Sequence, residues 1–98
     1  MEQEILCLGF NGYDFKQDGE RLKGAKLSYI SNYRVSEDLK KGFLPISIKF
    51  SLESLKDIDF PCLASGRFEF IPDSKGNPVA TLVAITPKKK VDISVLFK

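Results

Sequence analysis

The sequence predicts an all-β fold of five strands, with one short helix between the third and the fourth. Three observations predict it. Apolar and polar residues alternate with period two in five separate stretches. Clusters rich in Gly, Pro, Asn and Asp divide those stretches. One segment, 51–58, instead spaces its apolar residues by three, at Leu52, Leu55 and Ile58. At 98 residues, 43% of them hydrophobic, the chain has the size of one domain, residues 1–98, and enough apolar content for a core.

The first strand runs from Ile5 to Phe15, with Leu6, Leu8 and Phe10 on one face. Beyond Asn11-Gly12 the large residues change phase, to Tyr13 and Phe15. A phase slip at a glycine marks a bulge or bend, which lets one long strand serve both halves of a small barrel. Residues 16–21 form a polar turn around Asp18-Gly19, a hairpin signal in a loop longer than two residues.

Residues 24–35 form the second strand. Ala25, Leu27, Tyr29, Ser31, Tyr33 and Val35 share one face, and Lys26, Ser28, Ile30, Asn32 and Arg34 share the other. Both faces are mixed, so periodicity does not select the inner one. Polar residues 36–42 are suited to one helical turn, with Ser36 as cap and Gly42 as stop.

The third strand, 45–50, has the cleanest alternation, with Ile46, Ile48 and Phe50 inward and Ser47 and Lys49 outward. Ser51 opens the short helix 51–58, with Ser54 where a full capping box has an acid or amide, and Phe60-Pro61 ends it. The fourth strand, 62–71, sets Phe68 and Phe70 against Arg67 and Glu69. After the turn-rich stretch 72–78 comes the fifth, 79–86, with Val79, Thr81, Val83 and Ile85 on one face. Pro87 and Lys88-Lys89-Lys90 break it. Residues 91–97 are apolar and receive no assignment.

This order is the connectivity of the OB-fold, a partly open five-stranded barrel. Its ligands lie across strands 2 and 3, flanked by the loops between strands 1–2 and 4–5. Those loops are residues 16–23 and 72–78 here. SH3-like barrels and small open sheets have similar strand content and stay open as alternatives.

The chemistry of the chain excludes several classes. It has no histidine and no tryptophan, so the commonest general base and metal ligand are missing. Cys7 and Cys62 are isolated in apolar stretches and read as reduced, buried thiols, neither a zinc site nor a nucleophile with a base. No phosphate-cradling glycine motif is present. Asp14, Asp18, Glu20, Asp57 and Asp59 cluster near turns, where Asp is favoured for its backbone preferences. The expectation is a protein that is not an enzyme, with no metal and no small-molecule cofactor. The acidic N-terminus and the short apolar runs predict neither a signal peptide nor a membrane span, so the expected location is the cytoplasm.

A net charge of +2 does not itself indicate a polyanionic ligand. Placement does. Lys16, Arg21, Lys23, Lys26 and Arg34 are interleaved with Tyr13, Phe15, Tyr29 and Tyr33, and Lys40, Lys41 and the outward Lys49 follow. Proteins that bind single strands combine cations that follow phosphates with aromatic faces on which bases stack. The Lys88-Lys89-Lys90 run has charge without an interleaved aromatic.

Gly9-Phe10-Asn11-Gly12-Tyr13-Asp14-Phe15, then Asp18-Gly19, then Leu22-Lys23-Gly24-Ala25-Lys26-Leu27 resembles the opening of small phage- and plasmid-encoded single-stranded DNA-binding proteins. These are similar to the filamentous-phage gene V protein, in which a bent first strand leads through a polar turn into a Lys-Gly-x-Lys strand. The resemblance covers roughly the first third of the chain. It implies an OB-fold that coats single-stranded DNA without reading its sequence, as a homodimer. By position it places Lys16, Arg21, Lys23, Lys26, Tyr29 and Tyr33 near the DNA. The tail 88–98, with Val91, Val95, Leu96 and Phe97, is the candidate for oligomer contacts. The competing reading is a small protein-interaction module without a nucleic-acid ligand, which uses an exposed strand edge.

Overall fold

Asp18 and Gly19 have φ of 53° and 80°, the positive values that both central residues of a type I′ turn require. They join β1 (Glu2–Gln17) to β2 (Glu20–Ser31) with Gln17 directly opposite Glu20. The turn is therefore a two-residue turn, shorter than the sequence suggests, and Lys16 and Arg21 are paired ladder residues. A computed structural model of the chain describes residues 1–32 and 34–97.

The other elements are β3 (Val35–Ser36), β4 (Lys41–Gly42), β5 (Ile46–Phe50), α1 (Leu52–Leu55), β6 (Cys62–Pro72), β7 (Pro78–Lys90) and a terminal 3-10 turn, Ser94–Phe97. The fold is all-β, with the short helix after the third long strand as expected. Five strands form one antiparallel sheet in the order β5-β2-β1-β6-β7, and β3 and β4 pair separately. That small hairpin replaces the helical turn expected over 36–42. The Glu37 N–H donates to the Lys40 carbonyl at 2.7 Å, a cross-strand bond that continues the hairpin toward the bend at Asp38 and Leu39. The sheet's edges are β5 and β7. Lys49 and Phe50 of one and Leu82 and Val83 of the other line a common groove.

Three extra residues decide which side chains face inward. Leu8 is unpaired between Cys7 and Gly9 in β1. The inner positions thus change from Ile5 and Cys7 to Phe10 and Gly12, and the predicted grouping of Leu6, Leu8 and Phe10 does not hold. In β7 the register slips past Val83 and past Lys88. The first slip turns Leu82 and Ile85 inward rather than Val83. The second carries the strand through Pro87, which has no N–H for the ladder but is tolerated at a bulge on an edge strand. The predicted break after Thr86 is therefore absent.

Ile5, Cys7, Ala25, Leu27, Tyr29, Cys62, Ala64, Phe68 and Leu82 from the sheet and Leu55 from α1 form the core, with Phe10, Ile48, Phe50 and Ile85 partly buried against it. No polar or charged residue is buried among the described residues. Phe70 continues the inner series of β6, but the β6–β7 hairpin projects beyond the core and leaves it 68% exposed. No helix among the described residues is long and apolar enough to cross a membrane.

Cys7 and Cys62 are direct partners across β1 and β6, and both are buried free thiols. Burial, reinforced by the neighbouring Cys62, pushes the Cys7 thiol from 9.0 up to about 12. Between those values the unfolded chain releases a proton that the folded chain keeps. The contribution of Cys7 to stability is complete below pH 9 and is lost as pH rises toward 12. Urea midpoints measured across this range should fall, and the fall should be shallower in Cys7→Ala. Native protein should also resist thiol labelling until it unfolds; rapid labelling would contradict the burial.

Candidate nucleic-acid interface

The Gln17–Glu20 pairing determines every row of the first hairpin. Phe15 faces Leu22, Tyr13 faces Gly24, and Asn11 faces Lys26. Between them lie Lys16 with Arg21, Asp14 with Lys23, Gly12 with Ala25 and Phe10 with Leu27. Successive residues of a strand point to opposite faces. The first set therefore shares the outer face of the sheet. The second runs from the core out to the hairpin's opposite surface.

β5 extends the outer rows. Lys26 is directly opposite Lys49, and Ser28 is opposite Ser47, their hydroxyls hydrogen-bonded at 3.1 Å. From the turn inward the outer face presents Phe15 and Leu22, then Tyr13, then Asn11, Lys26 and Lys49, then Ser28 and Ser47. Successive rows are about 6.7 Å apart, so this track extends roughly 20 Å along β2. The Tyr13 and Phe15 rings are exposed, with centroids 6.1 Å apart and planes at 49°. Tyr13 lies across Gly24, where an added Cβ would come within 2.6 Å of its hydroxyl. Glycine there gives the ring its seat.

The electrostatics of the two surfaces differ. On the opposite surface Arg21 donates Nε to Asp14 Oδ1 at 2.8 Å and Nη2 to Oδ2 at 2.7 Å, a bidentate fork. Lys23 and Lys56 both reach Glu53 Oε1. Arg21 holds the Asp14 carboxyl below its usual range, and Lys23 with Lys56 does the same for Glu53. Those cations are already matched. Lys26 and Lys49 make no ion pair among the described residues. The acids of the outer face lie away from that row: Glu20 at the turn opposite Gln17, Glu2 and Glu4 on the half of β1 that pairs with β6, and Glu69 on β6.

The expected site residues therefore separate. Lys26 and Lys49 come together on the outer face. Arg21 and Lys23 are on the other surface with acid partners, and Lys16 is opposite Arg21. Arg34 follows β2 in an exposed segment. Tyr29 is a correction. Its inward parity and its contact with Phe68, centroids 6.3 Å apart, leave the ring 5% exposed and unavailable for stacking. Tyr33 lies outside the described residues. Tyr13 and Phe15 belong to the face but were not among the expected site residues. The signal that finds them is Asp18-Gly19 taken as a two-residue turn, because the register then follows directly.

No protein-family model matches the chain, and no curated protein sequence or solved structure matches it.

Two lysines directly opposite each other on an antiparallel pair repel, with an effect within the ~0.2–1 kcal/mol scale of cross-strand pairs. Lys49→Thr should therefore raise the urea midpoint at low salt, and the gain should shrink as salt rises. No gain at low salt would mean that another partner compensates the pair. Gly24→Ala should push the Tyr13 ring aside while leaving the protein folded. Tyrosine fluorescence quenching by iodide would report the displacement.

Proposed function

We propose that this chain is a sequence-tolerant single-stranded DNA-binding protein built on a partly open, OB-like barrel. The reading rests on one observation above all: two exposed aromatic rings lie in line with two directly opposed lysines that have no acid partner among the described residues. Bases stack on aromatic faces of any sequence context, and lysines follow the phosphate backbone. The rings recur at about twice the ~3.4 Å rise of a stacked nucleotide. Bases that engage them in succession must be spread apart, which a single strand permits and a duplex resists. No polar side chain is buried in the face among the described residues, consistent with recognition without base readout.

The OB-like assignment draws support from the strand count, the helix after the third long strand and the groove shared by the sheet's two edges. The phage or plasmid setting, with a role in DNA replication or transfer, draws on the resemblance of residues 9–27. A homodimer is part of the same proposal. Val95, Leu96 and Phe97 of the terminal turn are all exposed. Light scattering should give twice the chain mass, and a monomer across a wide concentration range would oppose the dimer.

Binding is tested by the anisotropy of labelled oligo-dT against duplex of equal length. Tyr13→Ala and Phe15→Ala should each weaken single-strand binding by about 1–3 kcal/mol, at high as well as low salt. Lys26→Ala and Lys49→Ala should each flatten the salt slope by about 0.7. Replacing Lys88, Lys89 and Lys90 together should matter mainly at low salt. Tyr29→Phe should leave affinity unchanged. Equal affinity for duplex, or full binding by both aromatic variants, would contradict the proposal.

A further inference from the structure

The β3–β4 hairpin plays no part in the reading so far. Residues 34–45 lie between the end of β2 and the start of β5, the two strands that carry the Lys26–Lys49 and Ser28–Ser47 rows. This arm therefore stands at the end of the sheet opposite the Asp18–Gly19 turn. From Leu22 to Ser31 the strand covers nine residue steps, about 30 Å. The outer face thus has Phe15 and Tyr13 toward one end and the arm at the other.

Within the arm Val35 is opposite Gly42 and Ser36 is opposite Lys41. Arg34 and Phe43 flank that ladder at its open end, next to Val35 and Gly42, whose φ of 99° interrupts the alternation between Lys41 and Phe43; Arg34, Lys41 and Phe43 are all exposed. Arg34 and Lys41 make no ion pair among the described residues, and Phe43 is 53% exposed. Glu37 and Asp38 sit in the turn at the tip, the end of the arm farthest from Arg34 and Phe43. The arm so repeats the composition of the sheet track, two cations without an ion pair among the described residues and an exposed ring.

We infer that Arg34, Lys41 and Phe43 of the arm form a second single-strand subsite, holding the far end of a strand that lies on Tyr13, Phe15, Lys26 and Lys49. This rests on the single-strand reading of the sheet face and extends it. The arm adds phosphate contacts and one stacking surface, and only a ligand long enough to cross the intervening sheet gains from both.

Length separates the two subsites. Oligo-dT of about 4 nucleotides occupies one, whereas about 16 nucleotides reaches both. Wild type should bind the longer oligonucleotide more tightly. The variant carrying Arg34→Ala, Lys41→Ala and Phe43→Ala should lose on the order of tenfold on the longer one and nothing on the shorter. Its salt slope on the longer one should be flatter by about 1.4, for two lost phosphate contacts. Lys41→Glu alone should show the same length-selective loss, and unfolding midpoints identical to wild type keep the comparison one of folded proteins. Equal losses on both lengths, or no loss on the longer, would overturn the second subsite alone. Wild type that binds neither oligonucleotide, or Tyr13→Ala and Lys26→Ala variants that bind both like wild type, would overturn the sheet-face reading and the arm with it.

Discussion

The structure depends on the register set by the Asp18–Gly19 turn. With Gln17 opposite Glu20, the pairing of Tyr13 with Gly24 and of Asn11 with Lys26 follows by counting. A one-residue slip would exchange the faces, moving Ala25 and Leu27 to solvent and Lys26 into the core. Burial of Leu27, fully enclosed, opposes that slip. The Leu8 bulge complements the turn. It returns Ile5 and Cys7 to the inner side after Phe10 and Gly12, so one strand of sixteen residues serves both the core and the projecting hairpin.

Alternation then sorts charge as well as hydrophobicity. Arg21 and Lys23 go to the surface that also carries Asp14 and faces Glu53, where their charges are satisfied inside the protein. Lys26 and Lys49 go to the other surface, where the acid that β2 carries, Glu20, lies three rows away at the turn. Matched exposed pairs contribute little to stability, and an unmatched directly opposed pair reduces it. A fold shaped only for stability has no use for the second arrangement. Under the proposed function, a polyanion lying across the sheet would remove the repulsion, and the exposed rings beside the lysines would supply the contact that salt does not screen.

Much of this was legible in the sequence. Period-two alternation located the five long strands. The spacing of Leu52 and Leu55 located the helix, and Asp18-Gly19 located the hairpin. The inner face was harder to read. Ala25, Leu27 and Tyr29 alternate with Lys26, Ser28 and Ile30, and a tyrosine beside lysines looks the same whether its ring packs on Phe68 or meets solvent. The extra residues at Leu8, Val83 and Lys88 leave no compositional mark, because a bulge is a property of the pairing of two strands. The ion pairs of Arg21 with Asp14 and of Lys23 with Glu53 also depend on that pairing. Charges that looked available along the chain proved to be matched across it, while Tyr13 and Phe15, noted for their place among the cations, proved to be the exposed rings.

The central claim is that the outer face of β1, β2 and β5 is the binding surface. The most direct measurement is the aromatic carbon–proton NMR spectrum during titration with oligo-dT. Ring-current shifts on the Tyr13 and Phe15 signals, with Tyr29 and Phe68 unmoved, are the result this account predicts. Shifts confined to Tyr29 and Phe68, or saturation of binding with the Tyr13 and Phe15 signals unmoved, would contradict it.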